Sequence, residues 1–205
     1  MILLACAVAK ELDWLNSRAG VEVLVTGVGP VDAAARVSKA LAHKHYDVVV
    51  NAGIAGAFPG CAEVGDGVVV GEELMEINRE TGDAIVLPDG NIVIDRVPAD
   101  SQLVEAVTAL GFSLMRGITV ARVTATENTA QRLRARGAEV ETMEGFAVLR
   151  ASQLAGVPSI EVRGISNLAT VPAASAWDFE AGLRGLRRVL NATLDLLHTQ
   201  SVSAD

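Results

Sequence analysis

The segment VETMEGFAVLRASQLAGVPSIEVRGISN, from Val140 to Asn167, decides the fold class of this chain. Its beginning completes the run AEVET, which predicts a short strand. From Met143 the apolar residues recur at helical spacing as far as Gly156, a residue type that commonly ends helices. The nearly continuous apolar run VPSIEVRGIS then predicts a strand that is buried on both faces of a sheet. A strand, a helix and a second strand in succession indicate an α/β unit.

Two polar residues interrupt this apolar segment where its predicted strands end. Glu144 follows AEVET, and Asn167 follows VPSIEVRGIS. In open α/β sheets, ligands bind in the crevice beyond the carboxyl ends of the strands. We therefore expect one crevice to hold both side chains. Each also has a simpler explanation, because the helix dipole favours a glutamate at a helix start and an asparagine can cap a loop.

The same alternation of strands and helices extends over the rest of the chain. Further strands are predicted at ILLACAV, VEVLVTG, DVVVNAG, DGVVVGEEL and ITVARVTA, and further helices at 31–44, near Ser101, at TAQRLRARG and at SAWDFEAGLRGLRRVLNATLDLLHT. Half of the 205 residues are hydrophobic but only 3% are aromatic, so the core must consist of Ala, Val, Leu and Ile. We expect a single domain over 1–205, a three-layer α/β sandwich whose helices flank a central mixed, largely parallel β-sheet.

Composition and charge argue against several classes of partner. The formal net charge is −8 and no cluster of Lys and Arg offers a phosphate footprint, so nucleic acid is not expected. No apolar run reaches the ~18 residues that a membrane span needs. Cys6 and Cys61 lie far apart and the three His lack a ligand pattern, so we expect neither a metal nor an organic cofactor. Two free thiols fit a reducing cytoplasm.

The glycine-rich segment TGVGPVDAAARV resembles a dinucleotide-binding fingerprint only in part. Asp32 stands where a third glycine is needed and would repel a pyrophosphate, and Pro30 removes an N–H donor. We interpret Gly27 and Gly29 as a tight turn between a strand and a helix.

A second glycine-rich segment, NAGIAGAFPG, follows DVVV. Gly53, Ala55, Gly56 and Ala57 carry almost no side chain, which would let the backbone contact a flat ring or a sugar. A sterically required turn explains the same residues equally well. No Lys-Ser or Lys-Thr follows, so the segment is not a P-loop.

Taken together, these motifs resemble the nucleoside phosphorylase and nucleosidase superfamily, which includes the methylthioadenosine/S-adenosylhomocysteine nucleosidases. The resemblance spans nearly the whole chain, and DVVVNAGIAGAFPGCAEVGDGVVV resembles the family's glycine loop. ACAVAKELDWL resembles the segment with the catalytic glutamate, which places it at Glu11. VETMEGFAVLRAS resembles the ribose-binding segment, at Met143 and Glu144, and VPSIEVRGISN the strand with the base-recognition residue, at Asn167. Considered alone, KELDW also fits an exposed helix start, and Met143 a core position.

Asn167 departs from the adenine-specific nucleosidases, which carry Asp at that position. RGISN together with NAGIAGAF looks most like the futalosine hydrolases, a branch of the superfamily that acts in the futalosine route to menaquinone. The resemblance implies hydrolysis of a nucleoside with a benzoate-type 5′ group and release of hypoxanthine. Three alternatives stay open: another purine nucleosidase, a purine nucleoside phosphorylase, and a non-catalytic nucleoside-binding protein. Because such proteins commonly pair subunits, we also expect a homo-oligomer, a dimer or higher.

The resemblance implies a role for each polar residue. Asn167 would bind O6 and N7 of the base, Glu144 the ribose hydroxyls, and Glu11 the attacking water. Glu11 would repel phosphate, and no Arg lies in the first two strand turns, which favours hydrolysis over phosphorolysis. Arg122 and Arg163 are candidates, by charge and position, for the carboxylate of the 5′ group. The other expected substrate-binding residues are Gly53, Ile54, Ala55, Gly56, Met143, Thr126 and Ser166.

Overall fold

The computed structural model describes residues 1–170 and 177–202. Its strands are β1 (Ile2–Cys6), β2 (Val21–Val25), β3 (Val48–Ala57), β4 (Gly67–Met75), β5 (Arg96–Pro98), β6 (Ser113–Thr119), β7 (Val140–Thr142) and β8 (Ser159–Leu168). Its α-helices are α1 (Pro30–His43), α2 (Ser101–Thr108), α3 (Glu127–Ala135), α4 (Gly145–Ala155) and α5 (Phe179–Val202). A short 3-10 helical turn, Ala9–Glu11, follows β1.

The strands form one eight-stranded mixed sheet. Strands β2, β1 and β3 lie parallel at one side of it. Beyond β3 the sheet closes on itself, because β3 pairs with both β7 and β8, β7 pairs with β6, β6 with β4, and β4 with β8. The pairs β3–β7, β4–β5 and β4–β8 are antiparallel and the other described pairs are parallel. This confirms the predicted α/β class with a mixed, largely parallel sheet.

Helices cover both faces of the sheet. On one face, α1 and α4 bury Val37 and Val148 against β1 and β3. On the other, α5 and α2 bury Leu190 and Val107 against β3, β4 and β8. The buried core is built mainly of Ala, Val, Leu and Ile, as the composition predicts. None of the described helices is both long and apolar enough to cross a membrane.

Helix α5 touches β8 backbone to backbone. A Cβ at Gly164 would overlap the carbonyl oxygen of Gly182, and a Cβ at Gly182 would lie 2.9 Å from the Cβ of Ser166. Only glycine permits this approach, which holds the end of β8 firmly against the helix. That end carries Ser166 and Asn167.

Three strand ends differ from the sequence prediction. β3 continues through the glycine-rich segment to Ala57, where we expected a loop, because Gly56 and Ala57 pair with both β7 and β8. β8 extends to Leu168, so Asn167 lies inside the strand rather than beyond it. β6 ends at Thr119 because its neighbours β4 and β7 also end there. The predicted strand ITVARVTA continued through 120–125, but these residues do not form a strand.

The segment between β4 and β5 forms an excursion from the sheet. Isolated bridges join Asn78 to Ala84 and Val86 to Ile92. Val86 and Ile92 are exposed on this excursion. The predicted start of the terminal helix at Ser175 lies outside the described residues, and the described helix begins at Phe179.

Candidate active site

A cavity of about 290 Å³ lies where residues that follow β1, β6 and β7 meet the last residues of β3 and β8. Most of the residues expected from the sequence converge on it. Those that line its wall are Glu11, Ile54, Ala55, Gly56, Met143, Glu144, Ser166 and Asn167.

Glu11 is held in a fixed orientation at the floor of the cavity. It ends the 3-10 turn after β1 and is only 3% exposed. Its Oε1 accepts a hydrogen bond from the backbone N–H of Ile54 at 2.9 Å, and its Oε2 accepts from that of Val8 at 3.1 Å. The exposed helix start that KELDW also fits is therefore not what forms. A carboxylate fixed by two backbone donors still has lone pairs that can take a proton from a water molecule.

Arg163 lies directly behind Glu11, and Gly53 makes room for both. A Cβ at Gly53 would overlap Arg163 Nη1 and lie 2.7 Å from Glu11 Oε1, so Gly53 shapes the site without lining it. Arg163 is 1% exposed, and its Nε donates to Glu161 Oε1 at 2.8 Å. Burial acts to lower the pKa of Arg163, but the carboxylates of Glu161, Glu144 and Glu11 outweigh it and raise that pKa. Arg163 is therefore a buried cation of the core. It cannot bind the carboxylate of the 5′ group, the role for which the sequence made it a candidate.

Glu144 is the residue that precedes α4, and its carboxylate lies at the cavity and does not cap the helix. It forms no side-chain hydrogen bond to the first turn of α4. Instead Oε1 accepts from the backbone N–H of Gly29 at 2.8 Å. Gly29 has a φ of +99° in the turn after β2, which agrees with the tight turn predicted for this segment. Burial raises the pKa of Glu144, against the lowering effect of Arg163 and of the Gly29 N–H.

Asn167 presents one donor and one acceptor to the cavity. Ser166 Oγ donates to Asn167 Oδ1 at 2.9 Å, and Asn167 Nδ2 donates to the Leu168 carbonyl at 3.3 Å. An amide has two lone pairs and two N–H groups, so one of each remains for a ligand. Gly56 lies beneath it, where a Cβ would be 3.0 Å from Nδ2.

Met143 lies both against the core and at the cavity. It is half-buried against the apolar cluster that includes Phe58 and Ile118, and it lines the cavity. Its thioether can contact a sugar face while its chain anchors the segment before α4.

Two expected residues lie outside this cavity. Thr126 caps α3, since its Oγ1 accepts from the backbone N–H of Thr129 at 3.2 Å. Thr126 and Arg122 line a neighbouring cavity of about 550 Å³ beyond the ends of β4 and β6. The structure does not bring either residue to the wall shared by Glu11, Glu144 and Asn167.

Sequence reasoning missed several residues of the wall. Val8, Val28 and Val123 are apolar and carried no signal. Trp177 precedes α5 and Phe179 is its first residue, and in a chain with 3% aromatic residues their closeness in sequence could have marked them. Lys10 Nζ lies 5.7 Å from the centroid of the Phe179 ring, which puts a cation beside this aromatic wall.

Glu141 was also missed, although it is a buried carboxylate of the same wall. It is 6% exposed and belongs to β7. The backbone N–H of Thr124 donates to it at 3.0 Å, and Thr124 Oγ1 donates as well. Burial raises its pKa, while the Thr124 hydrogen bonds act in the opposite direction.

Known proteins share both the sequence and the fold. Residues 16–199 match a family model described as the phosphorylase superfamily. The chain is 35% identical to the futalosine hydrolase of Streptomyces coelicolor, over 82% of this chain and 75% of that protein. It is 32% identical to the futalosine hydrolase of Thermus thermophilus, over 89% and 85%.

Solved structures resemble the fold at lower identity. A methylthioadenosine/S-adenosylhomocysteine nucleosidase from Neisseria meningitidis, in complex with methylthio-immucillin-A, superposes with a TM-score of 0.80 at 18% identity, covering 97% of this chain and 98% of that one. Futalosine hydrolase of Helicobacter pylori gives 0.80 at 15% identity, covering 95% and 97%. The family model spans most of the chain, and the matches to the relatives cover most of the length of each relative. This chain therefore belongs to the phosphorylase superfamily, as its motifs predict.

Proposed function

We propose that this chain hydrolyses the N-ribosidic bond of futalosine and releases hypoxanthine. The relatives that share about a third of its residues are futalosine hydrolases. The observation that supports the proposal most directly is the geometry of one cavity, in which the free donor and acceptor of Asn167 share a wall with the carboxylates of Glu11 and Glu144.

The reaction requires three tasks, since breaking the bond builds positive charge on the sugar and negative charge on the departing base. The base must be bound, the sugar must be stabilised, and a water must be directed to the anomeric carbon. An amide suits the first task for a 6-oxopurine, because its N–H can donate to O6 and its oxygen can accept from a protonated N7. An adenine presents an amino group instead of O6, and the mispaired amide would cost about 1–3 kcal/mol.

Glu144 supports the second task. Its free oxygen can accept hydrogen bonds from ribose hydroxyls, and its charge favours the positive charge that develops on the sugar. A preorganised contact of this kind is typically worth ~3–4 kcal/mol to the transition state. The bond from Gly29 keeps the carboxylate in place before the substrate arrives.

Glu11 supports the third task as general base, a role worth about 10²–10⁴-fold in rate. Among the described residues that line the cavity there is no Lys or Arg to bind phosphate, and three of them, Glu11, Glu141 and Glu144, are carboxylates that would repel it. These features favour water over phosphate as the nucleophile. A non-catalytic binding protein would have no use for a carboxylate fixed at this position.

The carboxylate of the 5′ group needs a cation, and Arg163 is enclosed in the core. Lys10, beside the aromatic wall at Phe179, supports this role better. Lys10→Met should raise KM for futalosine while leaving KM for inosine, which has no such carboxylate, nearly unchanged.

We also propose that the whole chain, 1–205, acts as one domain, works in the futalosine route to menaquinone, and is a cytoplasmic homo-oligomer. Exposed apolar residues on the excursion between β4 and β5 support self-association. Light scattering coupled to size-exclusion chromatography measures the oligomeric state.

The direct test is to incubate the protein with futalosine, inosine and methylthioadenosine in parallel, with and without phosphate, and to follow the free bases. We expect hypoxanthine from futalosine without phosphate. Release only with phosphate would indicate a phosphorylase, adenine from methylthioadenosine alone would indicate the other nucleosidase, and no release from any substrate would leave only a binding protein.

A further inference from the structure

Gly56 has a polar neighbour on each of its two sides in the sheet. In the β3–β8 pair it lies opposite Asn167, and in the β3–β7 pair it lies opposite Glu141. Adjacent strands are separated by about 4.8 Å, so the backbones of Asn167 and Glu141 stand about 10 Å apart across the glycine. Both side chains line the cavity, and Gly56 places no side chain between them.

This arrangement leaves a flat space with a hydrogen-bonding group at each edge. Asn167 enters it from β8 with one free donor and one free acceptor. Glu141 enters it from β7 with a carboxylate that Thr124 holds through its backbone N–H and its hydroxyl. Both Thr124 groups donate, so the carboxylate is fixed as an acceptor and keeps further lone pairs for a ligand.

We propose that Glu141 is a second base-recognition residue, which accepts a hydrogen bond from N1–H of a 6-oxopurine while Asn167 binds the O6 and N7 edge. This inference rests on the proposed function, because it assigns the orientation of the hypoxanthine that leaves. A 6-oxopurine carries a proton on N1, whereas N1 of adenine is an acceptor. An acceptor facing the Glu141 carboxylate would be repelled, so the two residues select the same base through different atoms.

The alternative role for Glu141 is structural, since it ties the loop at Thr124 to β7. The two roles differ in what they affect. A structural role changes stability and activity toward every substrate together. Recognition of N1–H changes the preference between bases, and because N1–H is present in the substrate and in the leaving base, it acts on KM more than on kcat.

Glu139 offers a matched control for Glu141. It lies two residues earlier, is partly buried, and its Oε2 accepts a backbone hydrogen bond from Arg116 N at 2.8 Å. It does not line the cavity of Glu11 and Glu144 but a separate one near α2. Glu139→Gln therefore loses the same charge and weakens the same type of hydrogen bond away from the base.

The first measurement compares Glu141→Gln with Glu139→Gln. For Glu141→Gln we expect kcat/KM for futalosine to fall at least about tenfold, mostly through KM, and the rate for the adenine analogue of the same nucleoside to fall less or to rise. Glu139→Gln should keep the ratio of the two substrates unchanged. If Glu141→Gln keeps that ratio as well, or lowers both rates equally, the assignment is overturned.

The second measurement needs no variant and therefore does not depend on folding. Calorimetry on the unmodified protein compares hypoxanthine with 1-methylhypoxanthine, which lacks the N1 proton. We expect the methylated base to bind at least about tenfold more weakly. Equal affinity for the two bases would overturn the inference even if futalosine is hydrolysed. If futalosine is not hydrolysed, the same difference in affinity still supports recognition of N1–H by this protein, so the two proposals fail separately.

Discussion

Glu144 Oε1 accepts the backbone N–H of Gly29, so the turn after β2 fixes the carboxylate that follows β7. These two positions are far apart in the chain and follow different strands. The contact explains why a glycine with a positive φ stands at the start of α1, where a capping side chain would be more usual. The turn exposes an N–H to the cavity, and Glu144 uses it instead of capping its own helix.

Glu11→Gln should lower kcat for hypoxanthine release from futalosine at least about tenfold, because an amide cannot take a proton from water. The backbone donors at Val8 and Ile54 hold Glu11 in place, and one of them would face the Gln amino group. A release assay at saturating futalosine measures the change. Asp13→Asn, an exposed carboxylate two residues on, is the control and should keep the full rate. An unchanged kcat in Glu11→Gln would remove Glu11 from the mechanism.

Gly53→Ala should lower both stability and turnover, because its Cβ would displace the Arg163 guanidinium and the Glu11 carboxylate. Overpacking of this kind costs about 1–3 kcal/mol, and a small displacement of a catalytic group lowers the rate sharply. Thermal melting and the same release assay report the two effects. Gly71→Ala is the matched control, because its Cβ would meet only the end of the exposed Leu114 side chain, which can move. If Gly53→Ala were as active as Gly71→Ala, Gly53 would not position Glu11.

The order of strands predicted that Glu144 and Asn167 would share one crevice, because each lies at a strand end, and the family resemblance added Glu11. The sequence could not predict the role of Arg163. Strand spacing puts Arg163 and Glu161 on one face of β8, but their burial depends on the position of β8 between β3 and β4. The position of Thr126 was missed for a related reason. The resemblance did not indicate where the loop after β6 ends and α3 begins. Thr126 lies at that boundary and caps α3.

The same limit applies to Glu141. Its alternation with Thr142 in a three-residue strand is too short to show which side chain faces a ligand. Only the closure of the sheet, which puts β7 beside β3, brings Glu141 opposite Gly56. Long-range pairing of this kind leaves no periodic signal in a single sequence.

Asn167→Asp should shift the preference from 6-oxopurine to 6-aminopurine nucleosides. A carboxylate accepts from an amino group but cannot donate to O6, and the mispairing costs about 1–3 kcal/mol, or roughly 10- to 100-fold. The ratio of kcat/KM for futalosine to that for methylthioadenosine should fall by at least tenfold. Ser166 can still donate to the new carboxylate, so the fold around it is preserved. An unchanged ratio would show that Asn167 does not contact the 6-position.

Glu73 should make the protein less stable as the pH rises. It is completely buried and accepts hydrogen bonds from Thr119 and Thr142. Burial, followed by the nearby Glu161 carboxylate, raises the pKa of Glu73 well above its ordinary value of 4.5, and the two threonines oppose this only in part. Between that ordinary value and the raised pKa, the folded protein keeps a proton that the unfolded chain releases, so the contribution of Glu73 to stability is full below its ordinary pKa and falls as the pH increases through that window.

The slope can reach about 1.4 kcal/mol per pH unit within that window, which corresponds to a few degrees in Tm for a chain of this size. Glu73→Gln removes the titration while keeping the shape and the threonine contacts, so its Tm should fall less than that of the unmodified protein as the pH is raised above 5. Glu105→Gln, an exposed carboxylate on α2, should follow the unmodified curve. Parallel curves for Glu73→Gln and the unmodified protein would mean that Glu73 is ionised in the folded state, and that the closed part of the sheet holds its carboxylates against Arg163 without an added proton.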